Sequence, residues 1–374
     1  MKKIFVLFAF VFAATGVFAA DNLKFAVSED LNYDSNIYLT DGNEKDSFIS
    51  TTRVFADYTA KIPQSGLKLS LKGMGGYLAY TENSSKNNYF DAFAQADLSN
   101  RFFNIGDRFI YTSDPANSEL TDRAKRWQNN AFASFETSRE KTIGFGVFAD
   151  DSYDYYIDTE YKGLTRNRVD AGARLFWNLS PKTSIFAEYA YDDISYKTNK
   201  VNDSNGGTAA LGIEGQIAPK VSGVAKATYE MRDYKNDLAG ADNYNDLLGY
   251  VVSVEWKPTA NNKLRLSGAR NMQESTYGIN RYFADTLVSL MFSQKVFNKW
   301  TAALTVAYEN MDYAKEVNNV KRNDDLITVR PEVEYAFKEA FKVGVWYQYR
   351  DRDSNQKGCD YNDSKAGLFA KLFF

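Results

Sequence analysis

Apolar and polar residues alternate along most of this chain, in segments of roughly ten to fourteen residues. Between positions 168 and 179, Val169, Leu175 and Trp177 fall on one face, whereas Arg168 and Arg174 fall on the other. A period of two is typical of a β-strand with one apolar and one wet face, while a helix would scatter the charges around its circumference. The pattern therefore predicts strands.

Eighteen such segments follow one another. They predict strands near residues 23–36, 47–62, 67–80, 89–100, 103–112, 126–137, 142–155, 167–179, 183–196, 206–217, 221–234, 245–257, 263–274, 281–292, 300–313, 325–337, 342–352 and 362–374. The connections alternate between short ones, at 63–66, 138–141, 180–182, 218–220, 258–262 and 338–341, and long polar ones, at 37–46, 113–125, 197–205 and 235–244. One pair breaks this rule, because 275–280 and 293–299 are nearly equal in length.

An even number of strands with alternating short and long connections is the signature of a transmembrane β-barrel. In hydrocarbon every backbone N–H and C=O must be paired within the protein, so a sheet spans a bilayer only if it closes on itself. We therefore predict an all-β, antiparallel, up-and-down transmembrane barrel of about 18 strands, with 16 as the alternative, short periplasmic turns and long outer loops. A soluble sandwich would also pair aromatic residues, but it does not explain the alternating connections.

The N-terminus has the pattern of an export signal. Lys2 and Lys3 precede an apolar stretch from Ile4 to Ala14, and Val17-Phe18-Ala19 resembles a signal peptidase site. This arrangement predicts a secretory signal peptide at residues 1–19 and an outer-membrane barrel at residues 20–374.

Composition excludes several classes of function. The chain has 374 residues, no histidine, one cysteine and a formal net charge of −3. Without histidine there is no Ser-His-Asp or Cys-His nucleophile and no imidazole metal ligand, so we expect no enzyme, no catalytic residue, no metal site and no cofactor. Without a lysine- or arginine-rich block we expect no nucleic-acid partner.

The aromatic residues and the C-terminus support the barrel. Tyrosines cluster where strands meet the long connections, and Trp177, Trp256 and Trp300 lie near the short ones, which predicts two interfacial girdles in contact with outer-membrane lipids. The last strand places Leu368, Leu372 and other apolar residues on one face and ends at Phe374. This ending resembles the closing strand of bacterial outer-membrane barrels, whose terminal aromatic residue is recognised by the barrel-assembly machinery.

Three short motifs suggest a family. The opening strand Asn32-Tyr33-Asp34-Ser35-Asn36-Ile37-Tyr38, the block Glu274-Ser275-Thr276-Tyr277 followed by Arg281-Tyr282-Phe283, and the terminal Phe374 are similar to the putative β-barrel porin 2 family of outer-membrane proteins. The resemblance covers the mature chain. It implies an association with exopolysaccharide or capsule systems and a role in glycan export, and it assigns no residue a catalytic role.

A barrel of this size leaves an aqueous channel, so function is expected to lie in the lumen. The alternation predicts these pore-lining residues: Arg53, Asp57, Lys72, Asp97, Arg168, Asp170, Arg174, Glu188, Asp192, Glu214, Lys226, Glu230, Arg232, Glu255, Arg265, Glu309, Arg330, Glu332, Glu334 and Arg350. About two in three of them are expected only to pair across strands and stiffen the wall. Phe93, Phe148, Phe186, Phe283 and Trp346 are candidates for stacking on sugar faces.

Two local features leave alternatives open. The connection at 113–125 is either an exposed loop, which we favour, or a loop that folds inward and narrows the pore. Pro331 lies inside a predicted strand although a closed barrel has no edge to shelter its missing N–H, so we expect either a bulge there or a strand that begins later.

The functional prediction is a porin-like channel for passive diffusion of small hydrophilic solutes. The alternative is a barrel for exopolysaccharide or capsule export, or for glycan handling. Single-channel conductance would support the former, and binding of long sugars the latter.

Overall fold

The computed structural model describes residues 22–374 as one closed antiparallel barrel of 18 strands. Each strand pairs with its neighbours in the chain, and β1 pairs with β18 to close the sheet. The strands are β1 (Leu23–Asp34), β2 (Ser47–Ile62), β3 (Leu67–Tyr80), β4 (Tyr89–Ser99), β5 (Phe103–Thr112), β6 (Arg126–Glu136), β7 (Ile143–Tyr156), β8 (Arg166–Ser180), β9 (Thr183–Tyr196), β10 (Ser204–Ala218), β11 (Val221–Tyr234), β12 (Tyr244–Trp256), β13 (Asn262–Glu274), β14 (Tyr282–Val296), β15 (Trp300–Val317), β16 (Val320–Lys338), β17 (Phe341–Ser354) and β18 (Tyr361–Phe373).

Short helical segments lie in the connections between strands. A one-turn helix, Ser84–Asn87, joins β3 to β4, and two 3₁₀ turns, Thr159–Leu164 and Lys200–Asn202, lie in later connections. Within residues 22–374 no helix is long and apolar enough to cross a membrane. The fold prediction is confirmed, including the strand count of 18 rather than 16. The predicted signal peptide at 1–19 lies outside the described residues.

One hairpin is longer than the sequence predicted. We expected the strands near 300–313 and 325–337 to be joined by a loop, but β15 and β16 continue to a two-residue turn at Asn318 and Asn319. Both turn residues have positive φ, at 55° and 65°, which asparagine tolerates better than most residues. Such a turn continues the twist of the flanking strands and extends the hairpin.

Both interpretations of Pro331 are wrong. It pairs with Leu304 within β16, which begins early, at Val320. The register between β16 and β17 is the same before and after the proline, because Val329 pairs with Tyr349 and Glu332 with Trp346. The rows at 330 and 331 between them are unpaired. The missing N–H is therefore accommodated by a local gap in the ladder and not by a bulge.

Candidate functional site

The two faces of the barrel wall differ in chemistry. On β8, Val169, Leu175 and Trp177 are exposed on the outside, while Arg168 and Arg174 form ion pairs on the other face. Large apolar side chains are exposed in the same way around the barrel. An outward apolar face and a polar interior are typical of barrels in outer membranes.

All twenty predicted pore-lining residues lie on the face opposite these exposed apolar side chains, in register with the ladder. Most of them have an ion-pair partner within 4 Å; the exceptions within the described chain are Asp57, Lys72, Asp97 and Glu309. Some of these pairs, such as Arg168–Asp170 and Arg330–Glu332, join residues of the same strand and not of neighbouring strands. Whether these residues line the path of a solute stays a prediction.

One ionic cluster lies at the end of the barrel that carries the short turns. Arg174 donates to Glu188 on β9 and, at 3.0 Å, to Glu214 on β10. Lys226 on β11 donates to Glu188 at 2.7 Å. Arg139, from the turn after β6, reaches Glu214 as well. These ion pairs link the four neighbouring strands β8 to β11, and the turn after β6, on the lumen side of the wall.

A second cluster, at the loop end, reaches across the lumen. Arg232 on β11 is fully buried and donates to Glu274 at 2.8 Å and to Glu230 at 3.0 Å. Arg166 on β8 donates to the same Glu274. Because β9 to β12 lie between β8 and β13, this contact crosses the interior. Glu274 therefore joins two separate parts of the wall.

Glu274 can do so because the end of β13 leaves the wall. β12 and β13 are paired over seven rows only, from Trp256–Leu264 to Tyr250–Arg270. Beyond Arg270, β13 pairs with β14 alone, and beyond Tyr250, β12 pairs with β11 alone. A Cβ added to Gly249 would lie 2.0 Å from the Arg270 carbonyl oxygen, so only glycine allows this close approach.

The displaced strand is held inside by specific bonds. The Met272 amide donates to Glu230 at 3.0 Å, and the Met272 side chain is only 2% exposed. The following connection, residues 275–281, is fixed by Arg281, which donates to the Asn236 carbonyl at 2.6 Å. We call residues 271–281 the inward tip.

The connection 113–125 meets the inward tip from the other side. Glu119 accepts hydrogen bonds from the Ser275 hydroxyl at 2.8 Å and the Thr276 amide at 3.0 Å, and Arg352 donates to the Ser118 carbonyl at 2.8 Å. At least six strands separate β6 from β13, so this loop crosses the lumen. The favoured prediction of an exposed loop is wrong, since Glu119 is 8% exposed.

Together these segments form a constriction near the outer mouth. A cavity of about 440 Å³ remains beside it, and its lining includes Glu119, Thr121 and the buried arginines Arg322 and Arg352. Within residues 22–374 no group of three or more His, Cys, Asp or Glu side chains could hold a metal ion. The arrangement can admit or reject polar solutes by size and charge.

The docking of the 113–125 loop is expected to depend on pH. Burial raises the pKa of the Glu119 carboxyl above its ordinary value, despite the two hydrogen bonds that it accepts. The docked loop therefore favours the protonated form; docking is strongest below the ordinary pKa and weakens as pH rises through the raised one. Conductance should rise over that pH interval in bilayer recordings. Glu119→Gln should remove this rise, and an unchanged pH profile would contradict the assignment.

Most of the inward aromatic candidates are engaged in packing. Phe186, Phe283 and Trp346 are buried, and Phe148 and Trp346 pack over glycines on the neighbouring strands. Phe93 is partly buried on β4. These rings are used for packing on the inner wall.

Sequence reasoning missed Glu274, Arg166, Glu119 and Arg352 as lumen residues. On a regular strand, Glu274 would follow Leu264 and Leu266 on the lipid face, where a carboxylate is costly. The run Arg270, Met272, Glu274 on a lipid-facing register was the available signal that β13 leaves the wall. Loop residues show no such periodicity, so nothing in the sequence indicated that Glu119 lies in the lumen.

Comparison with known proteins agrees with the geometry. The family model for putative beta-barrel porin 2 matches residues 22–372. No curated protein matches the sequence significantly. The Pseudomonas aeruginosa outer-membrane protein opdK is 10% identical, with 95% of this chain and 99% of that chain covered and a TM-score of 0.55.

Two structures with ligands are also similar. P. aeruginosa OccK2 (OpdF) in complex with glucuronate is 9% identical, covering 95% of this chain and 99% of that one, with a TM-score of 0.54. P. aeruginosa OpdK with vanillate is 10% identical, with the same two coverages and a TM-score of 0.52. At these identities the likeness concerns the fold.

Proposed function

The chain belongs to the putative beta-barrel porin 2 family, and from this premise we propose that it is a channel for passive diffusion of small hydrophilic solutes. It is an outer-membrane protein of the porin type. The observation that supports diffusion is the ionic interior, in which charges of both signs are paired along the wall. The inward tip and the 113–125 loop cross part of this lumen.

The constriction favours small solutes. Arg166 and Arg232 meet at Glu274, and the 113–125 loop occupies part of the remaining section, so long polymers would have to displace both. Glycan export therefore has no specific support in the geometry. The glucuronate and vanillate bound to two similar barrels are small carboxylates, and we propose solutes of that size, with their charge compensated by wall arginines such as Arg168 and Arg330.

The proposal is tested by inserting the purified protein into planar bilayers. We expect discrete conductance steps, and liposome swelling with glucuronate but not with an oligosaccharide of the same acid. A folded, heat-modifiable barrel that gives neither steps nor swelling would refute it. Swelling with long oligosaccharides would instead favour the glycan alternative.

We also propose that residues 1–19 are removed on export and that Phe374 is an assembly signal for the barrel-assembly machinery. Phe374 donates its amide to the Phe25 carbonyl at 2.9 Å, so the last residue belongs to the closing seam. The mass of the protein from outer membranes should match residues 20–374. Phe374→Ser should lower the heat-modifiable fraction in cells, whereas full assembly would contradict the signal.

A further inference from the structure

We propose that the inward tip is a movable gate, which opens when β13 pairs with the free edge of β12 and so withdraws from the lumen. This inference rests on the proposed channel function, because it describes how that channel is regulated. It is carried by the divergence of two strands that are neighbours in both sequence and space.

The present arrangement leaves an incomplete wall. β12 continues for six residues, Tyr244–Gly249, without a partner on its β13 side. A tilted spanning strand needs about 9 to 11 residues, and the seam is paired over seven rows. Leu248, above the last paired row, is 71% exposed, as expected for a lipid-facing residue. Backbone groups without partners at this depth are costly.

The existing register shows what full pairing would bring together. Continuing from Tyr250–Arg270, Leu248 would lie opposite Met272 and Asp246 opposite Glu274. The first pair is apolar and would face lipid, which suits both side chains. No shift in register is needed, so the two strands are already aligned for closure of the seam.

The inward and the paired states of β13 are stabilised by different interactions. The inward state is stabilised by Glu274 between Arg166 and Arg232, and by the Met272 amide bond to Glu230. The paired state gains backbone hydrogen bonds but loses these ionic contacts. It also brings Glu274 beside Asp246, and like charges directly opposite are destabilising. Each state thus gains contacts that the other lacks, and two packings of one sequence that differ little in free energy can interconvert.

Opening would act on the whole constriction. When residues 271–274 join the wall, Ser275 and Thr276 move towards the rim and can no longer hold Glu119. The 113–125 loop then loses its anchor on this side. The lumen widens because the inward tip withdraws and the 113–125 loop is released.

Gly249 offers the first test. Gly249→Ala places a methyl group against the Arg270 carbonyl oxygen and excludes the inward path of β13. Gly75→Ala is the matched control on β3, since nothing lies within 4 Å of the added carbon. We expect a several-fold rise in single-channel conductance for Gly249→Ala and none for Gly75→Ala. Equal conductance in the two heat-modifiable variants would overturn the gate.

A cross-link provides a second test that does not need conduction. In a Cys359→Ser background, Leu248→Cys with Met272→Cys should form a disulfide only when the seam pairs. Val254→Cys with Leu266→Cys is the control, because these residues are already opposite each other in the same register. We expect both pairs to oxidise, and only the first to raise conductance, reversibly with dithiothreitol.

The outcomes separate the gate from the channel. Oxidation of the control pair alone would overturn the gate, as would a complete cross-link at 248 and 272 with unchanged conductance. If no variant conducts, the channel function fails, and the gating role with it, whether or not the cross-link forms. If the parent conducts, the channel stands whatever the cross-link shows.

Discussion

Deleting residues 116–121 should raise single-channel conductance several-fold. This segment holds Ser118 and Glu119, which attach the 113–125 loop to Arg352 and to the inward tip across the lumen. Its removal widens the narrowest section, and the conductance of a water-filled pore grows with that section. The flanking contacts of Asp114 with Tyr89 and of Arg123 with Tyr80 remain, so the barrel wall should assemble normally.

A matched deletion separates constriction from loop length. Residues 84–86 lie in the connection between β3 and β4; all three are exposed, and none of them lines the cavity beside the constriction. Their removal should leave conductance close to that of the parent protein. Both variants are compared in planar bilayers after heat-modifiable migration has shown that they are folded. Equal conductance for the 116–121 deletion and the parent would mean that this loop does not limit flow.

Glu274→Gln should destabilise the barrel most among single substitutions in the lumen. Arg232, whose surface is 0% exposed, then loses its closest carboxylate. Within the described chain, Arg166 keeps Asp154, at 3.3 Å, as its remaining ion-pair partner. Breaking a buried ion pair on one side costs about 3–5 kcal/mol. The measurement is the denaturant midpoint for loss of the folded, heat-modifiable form. Glu255→Gln is the control: its partners Arg265 and Lys257 are exposed, and pairs of that kind contribute about 0–1 kcal/mol.

A double variant distinguishes charge from packing. Arg232→Met combined with Glu274→Met removes both partners, and apolar replacement of a buried pair is often neutral or stabilising. We therefore expect the double variant to be more stable than Glu274→Gln. If it is less stable, the ionic network holds the structure through more than these two residues.

The fold was predictable because one physical rule governs almost every residue of the wall. Neighbouring positions such as Val169 and Asp170 face lipid and lumen in turn, and this period is visible in the sequence without any knowledge of contacts. The lengths of the connections then indicated on which side each turn lies. The prediction for Pro331 was wrong because two residue pairs of the β16–β17 ladder can be missing without a change in the register of the strands.

The constriction was not predictable by the same rule. It is built where the rule fails, at residues 271–274 of β13 and in the 113–125 loop, and contacts such as Arg166 to Glu274 are set by three-dimensional proximity across more than a hundred residues. Periodicity assigns a side to each residue of a strand but does not say which strands leave the wall.

The closing seam gives the protein a built-in optical reporter of its own assembly. Trp346 on β17 lies over Gly367 on β18, where any side chain would collide with the indole, and donates to Asp30 on β1 at 2.8 Å. This bond joins the last hairpin to the first strand and exists only once the cylinder has closed. The fluorescence of Trp346 in a chain whose other tryptophans are replaced by phenylalanine would therefore time the final step of folding, separately from insertion into the bilayer.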